Sequence, residues 1–351
     1  MTVFAFRGTS KHILKLQYNV RVNFIPCQTE RVLKMKKYFP ENYLISTQEN
    51  KNILLSKASL KEAYYSGKII EVRATVCDKD HNLHVDLGVM KGIIPREEGA
   101  IGISDGTVRD IAIISRVNKP VVCRIIDFKT DDKGEVYAVL SRKSVQEDCM
   151  RDYISTLTPG CVIDAVVTHM ESFGVFADIG AGISALMPID SISVSRIPHP
   201  SARFTPGQKI KAVVKGVDAE GRITLSYKEL LGTWEENAAL FKPGETVPGI
   251  VRSVERYGIF VELKPNLAGL AEYVPGVVPG QHASVYIKNL IPERMKIKLI
   301  IVDSFDAEYP NESVTYYNES DYIDRWVYSP ESCNKKIETV FSSYELTQEV
   351  I

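Results

Sequence analysis

The chain has 351 residues, of which 44% are hydrophobic and 25% are charged, and its formal net charge is −1. This composition is typical of a soluble protein with room for two or three domains, and no apolar run approaches the roughly 18 residues that a membrane span needs. The near-neutral charge argues against a protein that coats nucleic acid with its whole surface, because neutralising phosphates requires many basic side chains.

The first predicted segment is a basic arm at residues 1–34, which hold six Lys/Arg against one Asp/Glu. It shows no clean periodicity, so it is interpreted either as a disordered arm or as sequence upstream of a true start at Met35. It also lacks the uninterrupted apolar stretch of a signal peptide. Together with six scattered cysteines and no C-x-x-C pair, this predicts reduced thiols and a cytoplasmic location.

Three units with one pattern follow, at residues 64–143, 157–228 and 244–303. Each unit has an apolar strand, a short polar break, a second strand, a glycine-led apolar turn and a closing pair of strands. A pattern that recurs along a chain indicates one structural unit per repeat. Short strands with turn signals between them predict small β barrels or sandwiches.

Two helical segments are predicted between the units. Residues 144–156 and 228–241 each end before a Pro–Gly pair, the first at Pro159 and the second at Pro243, as helices commonly do. These helices either join the units as short connectors or cap the preceding barrel. The last segment, 304–351, is an acidic, tyrosine-rich tail with three Lys/Arg against ten Asp/Glu, and alternating large residues predict one short docked strand in it.

The second unit contains two phenylalanines, three residues apart, in the sequence ESFGVFADIGAGISALMPID at 171–190. Side chains three apart on a regular strand point to opposite faces, so Phe173 and Phe176 would be core rings on either side of a sheet. The alternative is a β-bulge at Gly174 that turns both rings to the same side, since glycine tolerates the backbone of a bulge.

The second unit resembles the S-one RNA-binding domain family, named after protein one of the small ribosomal subunit. The matching features occur in order over 158–228: Pro159–Gly160, FGVF, the glycine turn, Phe204 to Gly207, and VDAEGRITLSYK. The third unit is similar through YGIFVEL and GLAEY, and the first through HVDLG, GIIPREE and VLSRK. The resemblance implies a mainly β fold: three tandem five-stranded OB-fold barrels joined by short helices, with an irregular N-terminal arm and an acidic C-terminal tail.

In this family the aromatic pair lies exposed on the RNA-binding face, where unstacked bases lie against the rings. The resemblance therefore implies RNA contact at Phe173 and Phe176. Asp218 and Arg222 match an Asp and a basic residue at the edge of the family's site, where Arg222 would bind a phosphate or stack on a base. The other interpretation of this DAEG sequence is a solvated hairpin turn. The histidine that the family often has in strand three is Pro188 here, so one expected contact is missing.

The third unit keeps the aromatic pair as Tyr257 and Phe260. Glu272 lies at the histidine position, where it would repel phosphate. The resemblance places Lys296 where the second unit has Arg222, and strand alternation sends Lys296 and Lys298 to one face. Further positive charge nearby comes from Lys288 and Arg294.

The first unit is degenerate, because its aromatic pair has become His81 and His84 and its histidine position is Pro95. An H-x-x-H pair is compatible with a metal site, but no third ligand at a suitable spacing is present. A neutral imidazole also stacks more weakly than a phenyl ring. The first unit is therefore predicted to be a protein-docking surface more than an RNA-binding one.

The resemblance implies non-catalytic binding of single-stranded RNA, with mRNA and the small (30S) ribosomal subunit as the expected partners in translation. No cofactor, metal or membrane partner is expected. The alternative is a protein–protein adaptor in RNA metabolism whose barrels dock on a ribonucleoprotein or an enzyme. An enzyme is not expected, because the segments outside the units cannot house a nuclease core and no paired-carboxylate, Walker-type or zinc-ligand spacing is present.

Overall fold

The computed structural model of the protein describes residues 38–307 and 314–341. This part of the chain is mainly β and forms three closed five-stranded barrels in tandem, which confirms the predicted fold class. The basic arm predicted at residues 1–34 lies outside the described residues.

The strands of the first barrel are β1 (Ile69–Cys77), β2 (Leu83–Asp86), β3 (Lys91–Ile94), β4 (Pro120–Thr130) and β5 (Val136–Ser141). Around the barrel they follow the order β1-β2-β3-β5-β4. Neighbouring strands are antiparallel except β3 and β5, whose parallel pairing closes the barrel.

The other two barrels repeat this order, with the third and fifth strands of each in parallel. The second barrel consists of β6 (Val162–Glu171), β7 (Gly174–Asp178), β8 (Ser184–Pro188), β9 (Lys209–Val217) and β10 (Ile223–Ser226). The third consists of β11 (Thr246–Glu255), β12 (Gly258–Lys264), β13 (Leu267–Ala271), β14 (His282–Ile291) and β15 (Lys296–Phe305).

Five α-helices occur in the described chain: α1 (Gln48–Leu54), α2 (Lys57–Tyr65), α3 (Ile111–Ile114), α4 (Lys143–Asp152) and α5 (Trp234–Ala238). The predicted segment 144–156 includes all of α4 except its first residue, and the predicted segment 228–241 contains α5; each segment also includes a short 3-10 turn. The sequence did not predict α1 and α2. None of the described helices combines the length and apolarity that crossing a membrane requires.

Helix α4 lies between the first and second barrels and contacts both. Arg124 of β4 donates a hydrogen bond to Asp148 at 2.8 Å, whereas Val145 and Cys149 are buried in the hydrophobic core of the second barrel. The helix is therefore more than a flexible connector or a cap on the preceding barrel.

The described residues form two hydrophobic cores. The first barrel has a core of its own, which includes Leu60 and Leu140. The second and third barrels share one core with the described part of the tail, including Tyr227, Val261 and Trp326. The last two barrels and the tail are thus packed as one unit.

The described part of the tail is docked on the second barrel. The backbone N–H of Ile323 donates to the Gly160 carbonyl at 2.8 Å, and Tyr322 pairs with Cys161 in a β-bridge. The tail then forms an antiparallel pair of its own, β16 (Arg325–Val327) and β17 (Glu338–Val340). One docked strand was predicted where there are two, because three-residue strands are too short for a periodic pattern.

Candidate nucleic-acid interface

The two phenylalanines of the second barrel lie on its outer surface. Phe173 is 54% exposed in the turn before β7, and Phe176 points outward between the buried Val175 and Ala177. Their ring centroids are 6.1 Å apart and their planes are inclined by 89°. They form an edge-to-face pair accessible to solvent and are not core rings on opposite faces of a sheet.

Both rings face the same side because Phe173 precedes the regular strand, and not because of a bulge at Gly174. The register irregularity lies in β6, between Val167 and His169, so the bulge predicted at Gly174 is wrong. Gly174 is instead required by packing, because a Cβ atom there would lie 2.4 Å from the carbonyl oxygen of Met187.

The third barrel presents its aromatic pair in the same way. Tyr257 is 70% exposed and Phe260 is half-buried, with ring centroids 6.1 Å apart and planes inclined by 86°. A Cβ on Gly258 would lie 2.5 Å from the carbonyl oxygen of Ala271. The two barrels therefore share one geometry for an exposed ring pair next to a close approach of two strands.

Cross-strand pairing extends each ring pair into a row of four outward side chains, since residues in register on neighbouring strands project from the same face. The outer row of the second barrel consists of His169, Phe176, Leu186 and Thr224. The outer row of the third barrel consists of Ser253, Phe260, Leu270 and Lys298. The sequence did not predict these rows, because they depend on strand register. Of the row residues outside the aromatic pairs, only Lys298 was placed on an exposed face, by the alternation of side chains on its strand.

His169 adds a third ring to the second barrel's face. Its imidazole is 6.4 Å from the ring of Phe176, centroid to centroid, and the two planes are inclined by only 20°. The Nε2 atom of His169 lies 2.6 Å from a carboxylate oxygen of Glu171. The side chain of His169 is 64% exposed, so this ring is accessible from solvent beside the phenylalanine pair.

Arg222 is held in the turn between β9 and β10 by two carboxylates. Its Nε donates to Asp218 at 2.7 Å and its Nη2 donates to Glu220 at 2.8 Å. The hydrogen bonds from Arg222 lower the pKa of Asp218. The turn is solvated, since the Arg222 side chain is 76% exposed, and it presents a guanidinium group whose charge is largely balanced by its neighbours.

Lys296 and Lys298 are exposed on β15 on either side of the buried Ile297, as strand alternation predicts. Within the described ranges, neither lysine has a carboxylate partner. Arg294 and Lys288 are also exposed near the β14–β15 turn. Glu272 is exposed just beyond the end of β13, so the third barrel carries one acidic group near a basic surface.

The corresponding face of the first barrel has no aromatic pair. His81 lies 3.3 Å from Asp110, and His84 donates to Asp78 at 3.0 Å. Although burial acts in the opposite direction, the hydrogen bonds from His84 and Asn82 lower the pKa of Asp78 to about 2. The outer row here is formed by Val76, His84 and Ile93, while Val139, the next residue in register, is buried.

Comparisons with known proteins agree with this geometry. A model of the S1 RNA binding domain, the S-one family, matches residues 156–228, which contain all five strands of the second barrel. The chain is 29% identical over 316 residues to the small ribosomal subunit protein bS1 homolog of Bacillus cereus, which covers 83% of this chain and 78% of that protein. It is 30% identical over 276 residues to small ribosomal subunit protein bS1 of Staphylococcus aureus, which covers 74% of this chain and 66% of that one.

A solved structure described as a multidomain protein with nucleic acid binding domains, from Streptococcus pneumoniae, covers 70% of this chain and 76% of that chain. Its sequence identity is 16% and its TM-score is 0.23.

Proposed function

The chain belongs to the S1 RNA-binding domain family, and on that premise we propose that it binds single-stranded RNA without catalysing a reaction on it. The bases lie against the ring pairs of the second and third barrels. Because every base has a π face, such stacking requires little of the RNA sequence. Arg222 and Lys296 contact the RNA backbone at the edges of the two faces, and Asp218 positions Arg222.

One observation carries this proposal: two barrels present an exposed aromatic pair with the same separation and inclination. The side chains of Phe173 and Tyr257 are 54% and 70% exposed. Rings left in water without a partner are a liability to a soluble protein. A repeated pair of this kind is therefore accounted for by a ligand with flat apolar surfaces, and an unpaired nucleobase is such a ligand.

The proposed partners follow from the relatives, which are named small ribosomal subunit protein bS1. By that likeness the protein acts on mRNA during translation, at the small ribosomal subunit and in the cytoplasm.

A second function is favoured for the first barrel alone. Its histidines are engaged with carboxylates, and Val76 in its outer row is 55% exposed. The accessible aliphatic side chains of Val76 and Ile93 support a protein-docking surface over a stacking surface for bases. If all three barrels worked in this way, the protein would be an adaptor.

The test is a titration of the full chain with a fluorescent single-stranded oligouridylate. Phe176→Ala and Phe260→Ala are each expected to weaken binding by about 1–3 kcal/mol, the usual contribution of one stacked base. Affinity should also fall as the salt concentration rises, because phosphate contacts release counterions.

Tyr65→Ala is the matched control, since this ring is 83% exposed on α2, away from both faces, and its loss should leave RNA affinity unchanged. A folded wild-type protein that ignores RNA at low salt would favour the adaptor. Cleavage of the oligonucleotide, with or without Mg²⁺, would contradict the non-catalytic part of the proposal.

A further inference from the structure

We infer that the second and third barrels bind different parts of the same RNA strand: the second holds bases by stacking, and the third holds backbone phosphates as well. The inference rests on the proposed function, but it concerns residues on which that function does not depend. Both outer rows have a phenylalanine and a leucine at their centre, but they end in different residues. The inference follows from these end residues.

The outer row of the second barrel favours the stacking of bases. His169 continues the surface of Phe176 with a nearly parallel ring, and the opposite end of the row is the uncharged Thr224. The charges around its β9–β10 turn cancel, because residues 215–224 hold two Lys/Arg and two Asp/Glu. Arg222, at the edge of this face, is already paired with two carboxylates, so its contact with the RNA backbone adds little net positive charge.

The third barrel has the opposite arrangement. Ser253 replaces the imidazole and offers no ring, whereas Lys298 replaces the threonine and places an ammonium group in line with Phe260. Residues 288–298 hold four Lys/Arg and one Glu. In the part of the chain that the structure describes, Lys296 and Lys298 are exposed and without a carboxylate partner, so their charges are available to phosphates.

The two modes of binding differ in their response to salt. Stacking on rings releases no counterions, whereas each phosphate that a lysine neutralises in a single strand contributes about 0.7 to the slope of log affinity against log salt concentration. The third barrel should therefore show the steeper salt dependence, and the difference should follow the residues at the ends of the rows.

The experiment uses the full chain with one ring pair removed at a time. Tyr257→Ala with Phe260→Ala leaves the second barrel as the stacking surface, and Phe173→Ala with Phe176→Ala leaves the third. In each background the affinity for an oligouridylate is measured over a series of NaCl concentrations at pH 8. Circular dichroism checks that every variant is folded.

In the second-barrel background, His169→Ser should weaken binding about fivefold or more, the lower end of the effect of losing one stacking ring, without changing the salt slope. In the third-barrel background, Lys298→Thr should reduce the salt slope by about 0.7. Lys133→Thr, at the exposed tip of the β4–β5 turn in the first barrel, is the lysine control and should change neither quantity.

A further test places the end residues of each outer row in the other barrel. Thr224→Lys should steepen the salt slope of the second-barrel background, and Ser253→His should tighten binding in the third-barrel background. A slope in the third-barrel background that Lys298→Thr does not change would overturn the inference while leaving the proposed function standing. If the removal of both ring pairs together leaves RNA affinity unchanged, the proposed function itself fails.

Discussion

The exposed Phe173 is followed directly by a residue that carries no side chain. Gly174 begins β7 against the carbonyl of Met187 in β8, at a distance that leaves no room for a Cβ atom. Gly258 stands in the same relation to Ala271 in the third barrel. Each ring pair therefore lies beside a point where two strands approach more closely than any residue with a side chain permits.

Gly174→Ala should lower the free energy of unfolding by about 1–3 kcal/mol, as overpacking a tight site usually does. The measurement is urea unfolding followed by fluorescence. Gly216→Ala in β9 is the matched control, because a Cβ there meets nothing within 4 Å. Equal effects of the two substitutions would mean that the close approach is not the reason for the glycine.

Asp178 is a buried carboxyl group at the junction of the first and second barrels. It accepts hydrogen bonds from the backbone N–H groups of Glu41 and Gly180, at 2.7 and 2.8 Å. Burial raises the pKa of Asp178 to about 7, and the negative charge of Glu41 adds to the effect. Arg142, itself buried, pairs with Glu41 at 2.7 Å, so the junction is a small cluster of enclosed charges.

The raised pKa of Asp178 should make the junction less stable as the pH rises. The unfolded chain releases this proton near an ordinary aspartate pKa of about 4. Between about pH 4 and pH 7 the folded state therefore binds one proton that the unfolded state does not. The stabilising contribution is complete below that range and is lost as the pH rises through it, at up to about 1.4 kcal/mol per pH unit. Above about pH 7 this group causes no further change.

Urea unfolding of the wild type and of Asp178→Asn at pH 5 and pH 7 checks this sign. The variant should be less stable at both values, because an amide cannot accept every hydrogen bond made here. The difference between the two proteins should be smaller at pH 7 than at pH 5. The same pH dependence in both would contradict the assignment to Asp178.

For the strands and helices, the sequence predicted features that depend on local patterns and missed those that depend on the pairing of strands. The alternation around Ile297 was sufficient to predict that Lys296 and Lys298 share an exposed face. The pairing of Phe176 with His169 and of Leu270 with Lys298 was not visible, because strand register is set by the packing of the whole barrel and not by any short pattern. The roles of these residues in RNA binding stay predictions.

The missed helices have a similar cause. Only Leu60 and Ala63 of α2 are buried, so its apolar stripe is too short to stand out from a polar segment. Its start is marked by Ser56, whose side chain accepts from the backbone N–H of Ser59, but a serine cap is an equally ordinary residue in a loop. The preceding helix α1 likewise has a threonine cap and only two buried residues.

The docked tail offers a prediction for one element. Tyr328 is buried, its hydroxyl donates to the carbonyl of Asn266 in the β12–β13 turn, and its own carbonyl accepts from the N–H of Trp234 at 3.0 Å. Tyr328→Phe should lower the free energy of unfolding by about 1–3 kcal/mol, because it leaves a buried carbonyl without its donor.

Both tryptophans of the chain lie in the core that this tail shares with the second and third barrels, so their fluorescence measures the unfolding of that unit. Tyr65→Phe, on an exposed ring, is the control and should change little. A Tyr328→Phe protein as stable as the wild type would mean that the tail adds nothing to the joint between the barrels.

The second and third barrels are fixed relative to each other. Glu262 of β12 is buried and accepts hydrogen bonds from Arg252 of its own barrel and Arg203 of the second barrel. Asn266 accepts from the N–H of Val194 at 3.0 Å and donates to the Gly232 carbonyl at 3.0 Å. Such a joint holds the two ring pairs in one arrangement, so little conformational entropy is lost when one strand binds both.

A fixed pair of sites should make affinity depend strongly on RNA length. An oligonucleotide of about 4 nucleotides fills a single barrel of this kind, whereas one of about 30 can reach both, and linking two sites raises affinity by about 10²–10⁴ without any new contact. The wild type should therefore bind the long RNA at least 100-fold more tightly than the short one, as measured by fluorescence anisotropy. Phe260→Ala should remove most of this gain while changing the short-RNA affinity little, since the second barrel still binds. Equal losses on short and long RNA would mean that the two faces never engage one strand together.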